Sequence, residues 1–82
     1  LEKSNYHEWL EILGRSYEEF RDKIVNHKSL GKYKLIDKYA STNKAEFFAV
    51  LSEMFWTKPK TLKLHFPRIY KEFVKFFNFK PL

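Results

Sequence analysis

The stretch Asn43-Lys44-Ala45-Glu46-Phe47-Phe48-Ala49-Val50-Leu51-Ser52-Glu53-Met54-Phe55 constrains the fold more than any other part of the chain. Asn43 is a favourable N-cap, and Glu46, three residues on, stands where the carboxylate of a capping box stands. Pro59 ends the run, so the spacing predicts a helix over 44–57. Its positions are nearly all large and apolar, and such a helix is covered on most sides rather than along one stripe. Other elements must wrap around it. The exceptions are two carboxylates, Glu46 and Glu53, seven residues apart and therefore close to one line along the helix. Either that line faces water, or it faces a group that needs carboxylates.

The flanking segments read as partners for this helix. Over 5–27, Trp9, Ile12, Leu13, Tyr17, Phe20 and Ile24 recur at spacings of three and four, which predicts a first helix. Gly14 falls inside it at a cost of about 1 kcal/mol relative to alanine, which suggests a kink or a close helix contact. Over 29–42 the period is lost, and Gly31 with the β-tolerant Tyr33, Leu35, Ile36 and Tyr39 predicts a loop with at most a short extended piece. Pro59 opens a short turn of helix over 59–64, and Pro67 opens a last helix. There Ile69, Tyr70, Phe73, Phe76 and Phe77 form an apolar stripe opposite Arg68, Lys71, Glu72 and Lys75, ending before Asn78 and Pro81. The expected fold is mainly α: three main helices and a short turn of helix, in a single segment spanning 1–82.

A chain of 82 residues holds one small domain, which buries only about 60% of its unfolded surface. Aromatics are 20% of it, more than such a core encloses comfortably, so apolar surface should be left over. Together with Leu1 in place of an initiating methionine, this predicts a piece of a longer protein that self-associates through the surfaces it leaves bare. Cysteine is absent, which excludes disulfides and thiolate metal sites and makes the cytoplasm the default compartment. No apolar run reaches the roughly 18–20 residues of a membrane span. The net charge of +6 is spread as lysines over every segment, with only three arginines, a pattern of solvated surface rather than of a nucleic-acid face.

Three histidines, His7, His27 and His65, include no pair at the i, i+4 spacing that lets one helix present two imidazoles to zinc. His7-Glu8 is followed by Glu11 where the second histidine would stand, so all three read as surface or loop residues. There is no glycine-rich phosphate loop, nucleophile elbow or cysteine nucleophile, and hence no complete catalytic centre in these residues. Glu46 has two readings at this point. It either returns a hydrogen bond to the Asn43 backbone N–H or sits among phenylalanines, where lost hydration worth several kcal/mol calls for a cation or strong donor. Glu53 either faces solvent or shares that need.

The run from Tyr39 to Phe55, Tyr-Ala-Ser-Thr-Asn-Lys-Ala-Glu-Phe-Phe-Ala-Val-Leu-Ser-Glu-Met-Phe, closely resembles the C-terminal signature of the Mlc titration factor A family of zinc-dependent peptidases. Its core, Thr42-Asn43-Lys44-Ala45-Glu46-Phe47-Phe48-Ala49, also looks like the corresponding helix of the anthrax lethal factor catalytic domain. Pro59, Pro67, Tyr70 and Phe76-Phe77 fit the first family's downstream pattern. The likeness covers 33–81 well and 1–32 only as a plausible helix.

The resemblance implies the C-terminal portion of a zincin-like, gluzincin-type metallopeptidase domain. The two histidines and the general base of its His-Glu-x-x-His helix lie outside this chain. Carried over, Glu46 is the third zinc ligand, Glu53 orients a ligand histidine or a neighbouring basic group, and Tyr39 donates its phenol to the oxyanion of an attacked peptide carbonyl. Tyr39 alternatively reads as a core tyrosine with a satisfied hydroxyl. Lethal factor carries a second glutamate one turn after its ligand, where this chain has Val50, which favours the first family. The implied partners of the parent are a peptide substrate and a transcriptional repressor. Zinc would be bound by the full-length protein and not by this piece, which alone is catalytically incomplete. The rival expectation is a small helical module that binds a protein or nucleic acid through its aromatic and basic surface.

Overall fold

The structure, a computed structural model, describes residues 3–81, with side chains from residue 7 onward. Leu1, Glu2 and Leu82 of the expected 1–82 segment lie outside the described residues. Helix α1 is Lys3–Val25, α2 is Lys44–Thr57, α3 is Pro59–His65 and α4 is Pro67–Phe77; two 3₁₀ turns, Gly31–Leu35 and Lys38–Ser41, lie between α1 and α2. No strand occurs among the described residues, and the fold is mainly α as expected.

Helix α2 occupies the centre. It buries Phe47, Leu51, Met54 and Phe55, and it packs against α1, the second 3₁₀ turn, α3 and α4. Phe55 alone meets the rings of Tyr70, Phe73 and Phe77 on α4 at centroid distances of 5.7, 5.6 and 5.4 Å. On the other flank Phe20 of α1 stacks on both Phe47 and Tyr33. Trp9 lies parallel to Phe76 at 5.0 Å, tying α1 to α4. Ring pairs at these separations add about 0.5–1.5 kcal/mol each beyond their burial, so the aromatic surplus serves as a connected network between helices. Leu10, Trp56, Leu64 and Phe79 remain exposed.

Pro59 and Pro67 each take the first position of a helix, where a missing N–H costs nothing because that donor has no intrahelical partner. The amides of Leu62 and Tyr70 then close onto the carbonyls of Lys58 and Phe66, the residues just before the two prolines.

Four features depart from the sequence reading. The predicted loop is two 3₁₀ turns, and its extended piece shrinks to Ile36 and Asp37. These turns carry Tyr33, Ile36 and Ala40 into the core one at a time, so no apolar period announces them. Helix α1 stops at Val25, two residues early, because His27 turns left-handed at φ 52°. The amides of His27 and Lys28 then bond back to the carbonyls of Ile24 and Lys23, a Schellman ending in which histidine stands where glycine is usual. Gly14 neither breaks α1 nor meets a neighbour, since nothing lies within 4 Å of where a Cβ would be.

The fourth departure is Glu72, which the stripe of α4 assigned to solvent and which is buried at 3% exposure. One turn further along α4, Phe76 stacks on Trp9 of α1. The Glu72 carboxylate is met by the Lys75 ammonium at 3.3 Å, and Lys75 also reaches Glu8 of α1 at 3.8 Å. No helix among the described residues is long and apolar enough to cross a membrane.

Candidate functional site

Asn43 has an extended backbone, φ −162° and ψ 163°, and its side-chain oxygen accepts the Glu46 backbone N–H at 2.9 Å. Half of the capping box is thus made. The reciprocal bond is not: among the described residues no hydrogen bond or ion pair engages the Glu46 carboxylate. Glu46 is half-buried in the first turn of α2, where the positive end of the helix dipole favours its negative charge.

Burial along α2 defines what its outer surface presents. Ala45, Ala49, Glu53 and Trp56 are exposed, while Glu46, Val50 and Ser52 are half-buried. The line from Glu46 through Ala49 to Glu53 therefore lies on the side of α2 away from the chain's own core. It combines two carboxylates with small side chains, a surface that lets another backbone come close. Beyond the helix's own backbone bonds, the Glu53 carbonyl accepts from the Thr57 hydroxyl at 2.8 Å, and no bond to the Glu53 carboxylate occurs among the described residues.

Tyr39 is 64% exposed, so it is not the core tyrosine of the alternative reading. It rides on the second 3₁₀ turn, whose geometry is fixed locally by three short bonds. The Asp37 carboxylate accepts the Tyr39 N–H at 2.9 Å. The Ser41 and Thr42 hydroxyls donate to the carbonyls of Lys38 and Tyr39 at 2.7 and 2.8 Å. The turn packs on both α1 and α2, and the Tyr17 hydroxyl of α1 donates to the Ser41 carbonyl at 2.8 Å. No sequence signal marks that last bond, which joins residues 24 apart.

Among the described residues no three His, Cys, Asp or Glu side chains are grouped so that they could hold a metal ion. His7 and His27 are exposed and His65 is half-buried at the end of α3.

Fold and site together define a helical segment that presents a carboxylate at a helix entrance, with no metal-holding cluster of side chains among the described residues. The family model of the glucose-regulated metallo-peptidase M90 matches residues 1–78, and the chain belongs to that family. The match takes in α1, which the sequence likeness had reached only as a plausible helix.

Mlc titration factor A from Yersinia pestis (strain Pestoides F) is 47% identical over 47 residues, which are 57% of this chain and 17% of that protein. Mlc titration factor A from Yersinia pseudotuberculosis (serotype O:1b) is similar to the same degree over a stretch of the same length. The matched stretch thus spans less than a fifth of these relatives. No solved structure matches the chain.

Proposed function

We propose that this chain is the part of a cytoplasmic zinc-dependent M90 peptidase that supplies the glutamate ligand of the metal, Glu46, and an oxyanion-stabilising tyrosine, Tyr39. One observation carries this reading: Glu46 stands half-buried in the first turn of α2 with its carboxylate engaged by no hydrogen bond or ion pair among the described residues, while Asn43 already caps the helix. A carboxylate at this place, engaged by no neighbour and not needed for the cap, is open to a cation brought by another part of the protein. Carboxylate oxygen is a regular zinc donor, and a catalytic site of this type takes two histidines beside it.

Those histidines and the general base come from a His-Glu-x-x-His helix of the parent protein. The outer line of α2, with Ala49 between Glu46 and Glu53, is where that helix packs. When bound, zinc supplies a Lewis acid that polarises the scissile carbonyl. Glu46 would be the ligand that this chain gives the ion. Glu53, two turns along, accepts a hydrogen bond from a ligand histidine and so fixes its ring. Tyr39, with its ring in solvent, donates its hydroxyl to the carbonyl oxygen as negative charge builds on it.

The substrate is a peptide. A transcriptional repressor is the protein partner suggested by the name of the relatives. The chain alone is catalytically incomplete.

Two substitutions in the full-length protein test the assignment. Glu46→Gln lowers zinc content measured by elemental analysis. Tyr39→Phe keeps the zinc and lowers turnover of an internally quenched peptide by about 10²-fold or more, the usual cost of one oxyanion donor. Unchanged zinc stoichiometry in Glu46→Gln refutes the ligand role.

A further inference from the structure

Tyr17 of α1 touches the structure on both sides of the candidate site. Its hydroxyl donates to the carbonyl of Ser41, two residues after Tyr39, at 2.8 Å. Its ring meets that of Phe47, the residue after Glu46, edge to face at 5.6 Å. Tyr17 itself is 5% exposed and Phe47 1% exposed, so both contacts are made inside the core. By contrast, the other side-chain bonds holding the Tyr39 turn, from Asp37, Ser41 and Thr42, all come from within the turn or its immediate flanks. Those bonds shape the turn; they do not say where it sits. A short 3₁₀ turn has poor hydrogen-bond geometry of its own and gains its placement from what it packs against.

We infer that Tyr17 is a positioning residue that sets the placement of Tyr39 relative to Glu46, through its hydroxyl on one side and its ring on the other. The inference rests on the roles assigned to Tyr39 and Glu46 above and adds a third element to them. The chemistry gives it consequence: an oxyanion donor works only when it stands about 2.7–3.1 Å from the developing charge, and a displacement near 1 Å can cost about 10²-fold. The tether is one neutral, partly buried hydrogen bond, so its removal loosens the turn without unfolding the domain.

Tyr17→Phe deletes the tether and keeps the ring contact with Phe47. In the 82-residue chain, hydrogen exchange at the amides of Ala40 and Thr42 speeds up about fivefold to tenfold, the worth of one such bond, while amides in α4 are unchanged. In the zinc-loaded full-length protein the same substitution lowers kcat on the quenched peptide, with KM and zinc content unchanged. When Tyr39 is already phenylalanine, Tyr17→Phe has no further effect on kcat, because it acts through the Tyr39 hydroxyl.

Equal exchange in the Tyr17→Phe and wild-type chains overturns the tether. A kcat loss that persists in the Tyr39→Phe background overturns its route. If Tyr39→Phe leaves activity intact, the site assignment fails and Tyr17 has nothing to position; the exchange result then still reports the tether, so the two failures are distinct.

Discussion

Replacing Asn43 with alanine removes a single well-defined interaction from the turn that carries Glu46. The bond lost is the 2.9 Å contact from the Glu46 N–H to the Asn43 side chain, and Asn43 is exposed, so no packing changes. The backbone there is extended, φ −162°, a conformation alanine adopts without strain. The cost is therefore that of an N-cap alone, about 1 kcal/mol within a range of roughly 0.5–2. For a domain of this size that lowers the thermal midpoint by about 4–8 °C. Circular dichroism at 222 nm through a thermal ramp reads the shift.

Asn43→Ser and Asn43→Asp should stay near the wild type, and Asn43→Gly should fall by a few tenths of a kcal/mol, since water reaches the freed donors beside a glycine. Because the frayed turn bears Glu46, the alanine variant of the full-length protein should also give up zinc to a chelator several-fold faster. An alanine variant that melts with the wild type, or a glycine variant less stable than alanine, would mean that the cap does not hold the entrance of α2.

Burial, followed by the nearby charge of Glu19, raises the Tyr33 phenol to about 12. The ionised form is the disfavoured one in the folded chain, so the contribution of Tyr33 to stability is complete below the ordinary tyrosine value near 10 and is lost as pH climbs toward 12. Urea midpoints measured across that interval should fall more steeply in the wild type than in Tyr33→Phe; parallel curves contradict the shift. Lys75→Met strands the buried Glu72 carboxylate and should cost about 1–2 kcal/mol, less than a fully buried pair because water reaches Lys75, whereas Glu72→Gln should cost less. Equal losses in urea denaturation would show that Glu72 does not depend on its lysine. The exposed Leu10, Trp56, Leu64 and Phe79 should make the isolated chain associate, which light scattering would reveal as a dimer or larger species. A clean monomer that binds no apolar dye would contradict this.

The helices most legible in the sequence are those with chemical punctuation at their ends. Asn43 and Pro59 bracket α2, and Pro67 opens α4, so their limits follow from donors and carbonyls that need partners. The end of α1 was not legible, because its left-handed residue is His27 and the glycine that would signal a stop stands four residues later at Gly31. The 3₁₀ turns escape notice because each brings its buried residues to the core singly, without a repeat.

The lysine that meets buried Glu72 also reaches Glu8 of α1, and the Tyr17 tether has its partner far along the chain; local pattern carries neither. At the site, the spacing of Glu46 and Glu53 poses the question of what two carboxylates do on an apolar helix. The answer proposed for them draws on family likeness. That Tyr39 is exposed could not be told from its residue type.

The decisive measurement is the anomalous diffraction signal at the zinc absorption edge from crystals of the full-length, zinc-loaded protein. We expect the peak about 2.0–2.2 Å from a carboxylate oxygen of Glu46, with two imidazole nitrogens from a helix outside this chain completing the protein ligands. A fully occupied zinc peak with Glu46 lying beyond about 4 Å of it, well outside bonding range, would remove this carboxylate from the metal and leave its place at the entrance of α2 without a function.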